Sequence, residues 1–279
     1  MLGNEVQSRS DGFFSYSAPV VTMTNVAQLL SVLRSSMRKI AGEEAVVAVA
    51  YSGGLDSSIV VALAKELTKT TGYTCAIPGS FDDKHVVEAA GYDGVGTKTI
   101  HLTDAELTEY VRRTACVLGT LNPISIAYTI PILCVLDKCE EPLLLVGSGA
   151  DELFGGYAKY QASTDPEAAM SSDLVKMMAE AQLLQREAAK VGKRIGFPFT
   201  DEAVIMAALE VPVQEKVDVS GRKIILREVG RALSLHSADR PKKAAQYSSG
   251  VLKEMERLAG AAKLDLHDWT TMITSRKSH

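Results

Sequence analysis

The chain has 279 residues, of which 46% are hydrophobic and 23% are charged, as expected for a soluble globular protein of one large or two small domains. Its formal net charge of −4 and the absence of a long Lys/Arg block argue against a nucleic-acid-binding surface. The sequence begins without a signal-peptide pattern, and no apolar run reaches the roughly 18 residues of a membrane helix. We therefore expect a cytoplasmic protein with no membrane partner.

The first part of the chain alternates between β-branched apolar runs and helix-period segments. A Ser- and Gly-rich leader, residues 1–21, precedes an amphipathic helix at residues 24–40 that a Thr-Asn pair opens. Strands are predicted at residues 45–51, 73–77, 97–102 and 142–147. One helix is predicted to follow the first strand and to end near residue 67, and others are predicted at residues 84–90, 104–118 and 124–136. This βαβα series predicts a parallel sheet with helices on both faces.

The second part of the chain is mostly helical in its periodicity. Helices are predicted at residues 174–191, 201–209, 223–232 and 251–258, with turns at Gly196-Phe197-Pro198 and Ser220-Gly221. We therefore divide the chain into a leader and helix (residues 1–40), an α/β core (41–170) and a helical C-terminal lobe (171–279) packed against the sheet.

The cysteines and histidines give no metal-binding pattern. Four cysteines and five histidines occur, without the CxxC or HxxxH spacing of common metal sites. Reduced thiols are therefore expected at Cys75, Cys116, Cys134 and Cys139.

The segment VVAVAYSGGLDSSIVVALAKEL, residues 46–67, places a Gly- and Ser-rich turn between a strand and a helix. The unpaired N–H groups and the dipole of a helix N-terminus favour an anion, and glycines let backbone amides approach phosphate oxygens. The GK[ST] ending of a Walker A sequence is absent, so this is a different phosphate-binding loop. The carboxylate of Asp56 in such a site indicates an accompanying cation, for which Mg²⁺ is the simplest choice.

Two motifs resemble a known family. SGGLDSS after the first strand is similar to the PP-loop of N-type ATP pyrophosphatases, which share the adenine nucleotide alpha hydrolase-like fold. GSGADELFGGY, residues 147–157, resembles the signature of the synthetase domain of asparagine synthetases, and the likeness continues through GFPFTDEAV and ILREVGRA…RPKKAAQYSSG. The resemblance implies nucleotide contacts at Tyr51, Ser52, Gly53, Gly54, Leu55, Asp56, Ser57, Ser58, Ile77, Val146 and Gly147.

The same resemblance implies a metal site between two loops. ATP and Mg²⁺ are the expected cofactors, and Mg²⁺ would be held by Asp56 after the first strand and by Asp151 after the fourth. Taken alone, Asp151 and Glu152 are also explained as two carboxylates that the dipole favours at the start of a helix.

Four further positions are candidates for the chemistry. Lys242 matches by spacing the lysine that faces the acyl-adenylate in relatives, and a solvated basic turn is the alternative. Ser148 stands where asparagine synthetases have a glutamate, since this chain reads GSG for GEG. If a carboxylate from elsewhere replaces that glutamate, Glu180 and Glu187 on the following helix are candidates, with a solvated helix face as the alternative.

The resemblance implies an ATP-dependent, AMP-forming amidoligase. A carboxylate, in the first place the β-carboxylate of aspartate, would be adenylated with release of pyrophosphate, and ammonia would then displace AMP. The glutaminase domain of the family has no counterpart before the first strand, so ammonia is expected from solution or from a separate glutaminase. ATP and a small carboxylate are the expected partners, nucleic acid is not, and a homodimer is left open.

Two other interpretations stay open. One is adenylation of another carboxylate or of a tRNA base, and the other is a nucleotide-binding relative without catalysis.

Overall fold

The computed structural model describes residues 25–239 and 248–275, and their strands form a parallel sheet in the order β3-β2-β1-β4-β5. The strands are β1 (Val46–Ala50), β2 (Lys69–Ala76), β3 (Gly96–His101), β4 (Leu143–Leu145) and β5 (Arg194–Gly196). From β1 the chain builds outward through β2 to β3, then crosses to the other side of β1 to place β4 and β5. The loops after β1 and β4 therefore meet at a switch point at the carboxyl edge of the sheet, where parallel sheets bind ligands.

Helices cover both faces of this sheet. They are α1 (Val26–Ala41), α2 (Leu55–Lys65), α3 (Phe81–Asp93), α4 (Asp104–Leu118), α5 (Pro123–Lys138), α6 (Ala150–Phe154), α7 (Ala158–Gln161), α8 (Pro166–Lys190), α9 (Glu202–Glu210), α10 (Val213–Lys216), α11 (Ile224–Ala232), α12 (Val251–Ala261) and α13 (Leu266–Ser275). Their starts follow local chemistry. Asn25 and Thr103, for example, each cap a helix with a side-chain oxygen and form a capping box with the residue three positions later.

The two faces of the sheet bury separate apolar cores. Val47 and Val49 of β1 pack with α1, α2, α3, α9 and α11, whereas Ala48 between them packs with α4, α5, α8, α12 and α13. This alternation follows from the two-residue period of a strand, and burial on both faces explains why the strand is apolar throughout. The predicted α/β class, with a parallel sheet and helices on both faces, is therefore confirmed.

One element departs from the predicted division of the chain. Residues 194–196 form β5, which pairs in parallel with β4, so the C-terminal lobe is not wholly helical and contributes an edge strand to the sheet. A three-residue strand next to a turn at Gly196-Phe197-Pro198 gives no readable period. Its partner β4 is equally short but lies in a longer apolar run.

No single helix of the described residues is both long and apolar enough to cross a membrane, and among them only α4 and α5 taken together, across a bend of 106°, meet that test.

Candidate active site

A cavity of about 560 Å³ opens at the carboxyl edge of the sheet, within the size range of small-molecule sites. The predicted nucleotide residues Tyr51 to Ser57 line it, together with Val146, Gly147 and Ser148. The loops after β1 and β4 thus form one wall, and α8 and α11 contribute residues to others.

The loop after β1 leads into α2, and its Ser52 and Gly54 N–H groups donate to the Ser57 and Ser52 hydroxyls at 3.3 and 3.4 Å. Gly53 adopts a left-handed φ of 67°, and a Cβ there would lie 2.6 Å from the Ala89 side chain, so the turn requires glycine. Gly54 caps α2 without any side-chain hydrogen bond. Ser57 donates from its hydroxyl to the Gly54 carbonyl, 3.0 Å away. The first turn of α2 therefore presents an anion-binding N-terminus to the cavity.

Three charged side chains meet where the two loops adjoin. The Lys223 ammonium contacts Asp56 and lies 2.6 Å from Asp151 Oδ1, with only 4% of its side chain exposed. Burial disfavours the charged ammonium, but attraction by Asp151 and Asp56 outweighs it and raises the pKa of Lys223. The predicted metal ligands are thus close together, with a lysine between them.

Glycines enclose this charged cluster. A Cβ at Gly156 would lie 1.7 Å from Asp151 Oδ1 and 2.5 Å from Lys223 Cε, and one at Gly147 would lie 3.1 Å from Asp56 Cβ. Lys223 itself has a left-handed φ of 57° just before α11, an uncommon conformation for a residue with a side chain. The cluster is therefore fixed by the backbone around it.

A basic end of the cavity is formed by Arg227 of α11 and by Ser237. Arg227 donates to the carbonyls of Arg222 and Ala238. Burial first, and then Arg231 and Arg222, lower its pKa. Ser237 is 5% exposed, and its hydroxyl has no hydrogen-bond partner among the described residues, although Ser237 lines the cavity. A buried hydroxyl of this kind, next in the chain to a carbonyl that a guanidinium contacts, is suited to a phosphate oxygen.

Ser148 lies in a polar part of the cavity, on the loop after β4. Its hydroxyl is 3.0 Å from the Tyr128 hydroxyl, and burial raises the pKa of that phenol. Nearby, Glu152 is 6% exposed and accepts a hydrogen bond of 2.7 Å from Tyr157. Burial, reinforced by Asp151, raises the pKa of Glu152 to about 7. Glu152 thus places a third carboxyl group close to those of Asp56 and Asp151.

The two candidate glutamates on α8 have different surroundings. Glu180 lines the cavity, and burial raises the pKa of its carboxyl. Glu187 instead contacts Lys190, lies 3.9 Å from Arg113 and does not line the cavity. The candidacy of Glu187 was therefore wrong, because its carboxylate is held by cations away from the site.

Two predicted nucleotide contacts do not line the cavity. The Ser58 hydroxyl is fully buried in the body of α2 and does not line the cavity. The Ile77 N–H is already bonded to the Ser249 carbonyl at 2.8 Å, and Ile77 does not line the cavity either, whereas Cys75 and Ser249 do. Lys242 lies outside the described residues.

The sequence interpretation missed Lys223, Arg227, Ser237 and Tyr128. Arg227 belongs to the segment ILREVGRA, whose likeness to the family assigned it no role, and Lys223 lies just before that segment. A lysine at the start of a strongly amphipathic helix was the available signal. Ser237 and Tyr128 had none, because their positions at the cavity result from tertiary packing.

Comparison with known proteins indicates the family of this chain. Residues 28–196 match the family model described as asparagine synthase. Asparagine synthetase B [glutamine-hydrolyzing] of Escherichia coli is 26% identical over 264 residues, covering 86% of this chain and 47% of that protein. An asparagine synthetase domain-containing protein of Saccharomyces cerevisiae is 28% identical over 283 residues, which cover 81% of this chain and 53% of the yeast protein.

A similar solved structure is the NMN synthetase of Francisella tularensis, with a TM-score of 0.41 and 12% identity over 91% of this chain and 86% of that one. The chain spans about half the length of the curated relatives it matches. Because the family model covers more than half of the residues, the chain belongs to the asparagine synthase family.

Proposed function

We propose that the protein is an ATP-dependent, AMP-forming amidoligase that adenylates a carboxylate, in the first place the β-carboxylate of aspartate, and transfers the acyl group to ammonia. The observation that carries this proposal is the meeting of the SGGLDSS loop, Asp56, Asp151 and Lys223 at one edge of the sheet. An uncapped helix N-terminus and a buried ammonium are what a leaving pyrophosphate requires.

The adenylation step would place negative charge on the leaving pyrophosphate, which would face the SGGLDSS loop and Lys223. A carboxylate oxygen attacks the α-phosphorus, and the bond to the bridging oxygen of pyrophosphate breaks, so negative charge accumulates on the β-phosphate. The N–H groups at the start of α2 and the Lys223 ammonium would bind that charge. Arg227 and Ser237 would bind the terminal phosphate at the basic end.

Asp56 and Asp151 are suited to hold Mg²⁺ with a nucleotide. The described residues contain no group of three or more acidic, histidine or cysteine side chains that could form a complete metal cage. A pair of carboxylates completed by phosphate oxygens is, however, the usual protein contribution to a nucleotide-bound magnesium. The Lys223 ammonium between them indicates that the pair can accommodate a cation. When bound, Mg²⁺ would neutralise phosphate charge.

Amide formation requires a group that accepts a proton from the attacking ammonia. Serine has no useful basicity near neutral pH, so Ser148 with Tyr128 would orient the nucleophile by hydrogen bonds. Glu180 is the carboxylate we propose as proton acceptor, because it lines the same cavity and burial raises its pKa. A raised pKa increases the basicity of a carboxylate.

The test is ATP–pyrophosphate exchange with a panel of carboxylates that includes aspartate. We expect Mg²⁺-dependent exchange with the true acceptor, with AMP and pyrophosphate as products. Asp56→Asn and Asp151→Asn should each lower exchange by ~10²-fold, as loss of a preorganised charge does. Asp218→Asn is the matched control, because that carboxylate accepts hydrogen bonds from its own surface turn.

Products of ADP and phosphate would contradict the proposal. Exchange with a tRNA base or with a carboxylate other than aspartate would retain the reaction type but change the acceptor. Nucleotide binding without any exchange would identify a non-catalytic relative.

A further inference from the structure

The Lys223 ammonium occupies the position that the proposed metal ion would take. It contacts both Asp56 and Asp151, the two carboxylates suited to Mg²⁺. An ammonium and a metal ion cannot occupy one position between the same two oxygen ligands. Either the lysine or the metal is therefore the counter-cation of the pair at a given moment.

The carboxylate pair needs a counter-cation in every state. Two adjacent carboxylates repel each other, and the side chains of Asp56 and Asp151 are only 23% and 13% exposed. Lys223 balances one of their two charges and is almost wholly buried between them. Its removal would leave two partly buried negative charges without the cation that lies between them, which is costly.

The surrounding backbone crowds the space around the two carboxylates. Gly156 lies so close to Asp151 and Lys223 that even a methyl group would overlap them. Gly147 presses on Asp56 from the other loop. The ammonium therefore has to move before a metal ion can contact both carboxylates.

The cavity offers the lysine an alternative partner. Lys223 lines the cavity, and the helix it precedes also carries Arg227, at the basic end. Phosphates bound between the start of α2 and that end would lie within reach of a flexible four-carbon side chain. A nucleotide would thus supply both a new partner for the ammonium and additional oxygen ligands for a metal.

We propose that Lys223 is the built-in counter-cation of Asp56 and Asp151, so that the pair admits a divalent cation only after a nucleotide's phosphates have drawn the ammonium away. This inference rests on the proposed function. It means that the protein binds nucleotide before metal and that free divalent cations do not occupy the site. Lys223 acts here as a positioning residue.

The proposal is tested by measuring Mn²⁺ binding in the absence of nucleotide. Electron paramagnetic resonance gives the concentration of free Mn²⁺ and hence the amount bound. Lys223→Met should bind one Mn²⁺ ion at concentrations where wild type binds none. The Mn²⁺ affinity of the variant should be at least about tenfold higher than that of wild type. Adding Asp56→Asn to Lys223→Met should abolish that binding. Lys216→Met is the matched control, since Lys216 is equally buried but does not line the cavity.

A second measurement uses wild type alone, in case Lys223→Met folds poorly. In EDTA, α,β-methylene-ATP should bind wild type in calorimetry, because the lysine supplies the cation that the phosphates require. Tight Mn²⁺ binding by nucleotide-free wild type would overturn the proposal, as would a folded Lys223→Met that binds none, or a nucleotide that binds wild type only with metal.

These outcomes separate the inference from the proposed function. Pyrophosphate exchange combined with equal Mn²⁺ affinity in wild type and Lys223→Met would reject the counter-cation role and retain the ligase. Mn²⁺ binding only by Lys223→Met, without exchange on any carboxylate, would retain the counter-cation role and reject the ligase.

Discussion

Glu180 and Glu187 are two helical turns apart on α8, yet only one of them faces the site. Glu180 lines the cavity, and burial raises the pKa of its carboxyl. Glu187 instead contacts Lys190. A carboxylate that is buried without a cationic partner is destabilised in its charged form. Such a cost is common at catalytic positions and uncommon at structural ones.

Glu180→Gln should therefore slow amide formation while making the protein more stable at alkaline pH. Burial raises the pKa of Glu180, so the folded state binds the proton more tightly than the unfolded chain does. That stabilisation is present below the unfolded pKa and is lost as the pH rises through the folded pKa. We expect amide formation to fall by ~10²-fold, pyrophosphate exchange to persist, and the melting temperature at pH 8 to equal or exceed that of wild type.

Glu187→Gln is the control on the same helix. It breaks the contact with Lys190, so it should lower the melting temperature and leave amide formation unchanged. An unchanged rate of amide formation in Glu180→Gln, or a loss in both variants, would remove Glu180 from the proton-transfer step.

At the scale of elements, the turn after α6 fixes the charged cluster. Gly156 N–H donates to the Asp151 carbonyl at 2.8 Å, and Arg222 donates to the Gly156 carbonyl at 3.1 Å. The turn thus connects α6 with the segment that leads into α11. A small displacement here would move Asp151 and Lys223 together.

Gly156→Ala should consequently cost both stability and activity. Its methyl group would overlap Asp151 and Lys223, and such overpacking costs about 1–3 kcal/mol. Pyrophosphate exchange should fall together with the free energy of unfolding in urea. Gly91→Ala, in α3 with no atom near the added methyl, should instead stabilise the protein by about 0.5–1 kcal/mol. Normal exchange in Gly156→Ala would show that the cluster tolerates displacement.

The elements of the sheet and the loop motif were predictable from the sequence because they depend on local pattern. β1 and β4 are unbroken apolar runs, and the Gly-Gly turn marks the start of α2. What the sequence did not predict depends on tertiary contacts: the pairing of β5 with β4, the ammonium of Lys223 between two aspartates, and the orientation of Glu187 toward Arg113. None of these has a period or a spacing that a single sequence displays.

Over the whole molecule, the four cysteines are unsuited to glutamine hydrolysis. Cys75 lines the cavity, but contact with Cys134 and burial raise the pKa of its thiol, which opposes thiolate formation. Cys134 and Cys139 are buried as well, and Cys116 is exposed on α4 but does not line the cavity. We therefore expect this chain to take its nitrogen from ammonia and not from glutamine.

The purified chain should make amide from ammonium chloride and none from glutamine, when the product is measured by chromatography of the amino acids. Its rate should increase with pH near neutrality, because the nucleophile is neutral ammonia. A separate glutaminase added with glutamine should restore product formation. Amide formation from glutamine without any added protein would contradict this prediction.

The order of the three clustered charges along the chain also has a consequence during synthesis on the ribosome. Asp56 and Asp151 are made before Lys223, so a growing chain that has paired β1 with β4 holds two carboxylates side by side without their ammonium. Like charges so close together oppose the pairing. We therefore expect the centre of the sheet to be completed late. A fragment that stops at residue 212 carries all five strands, and we expect it to have a weakened junction between β1 and β4.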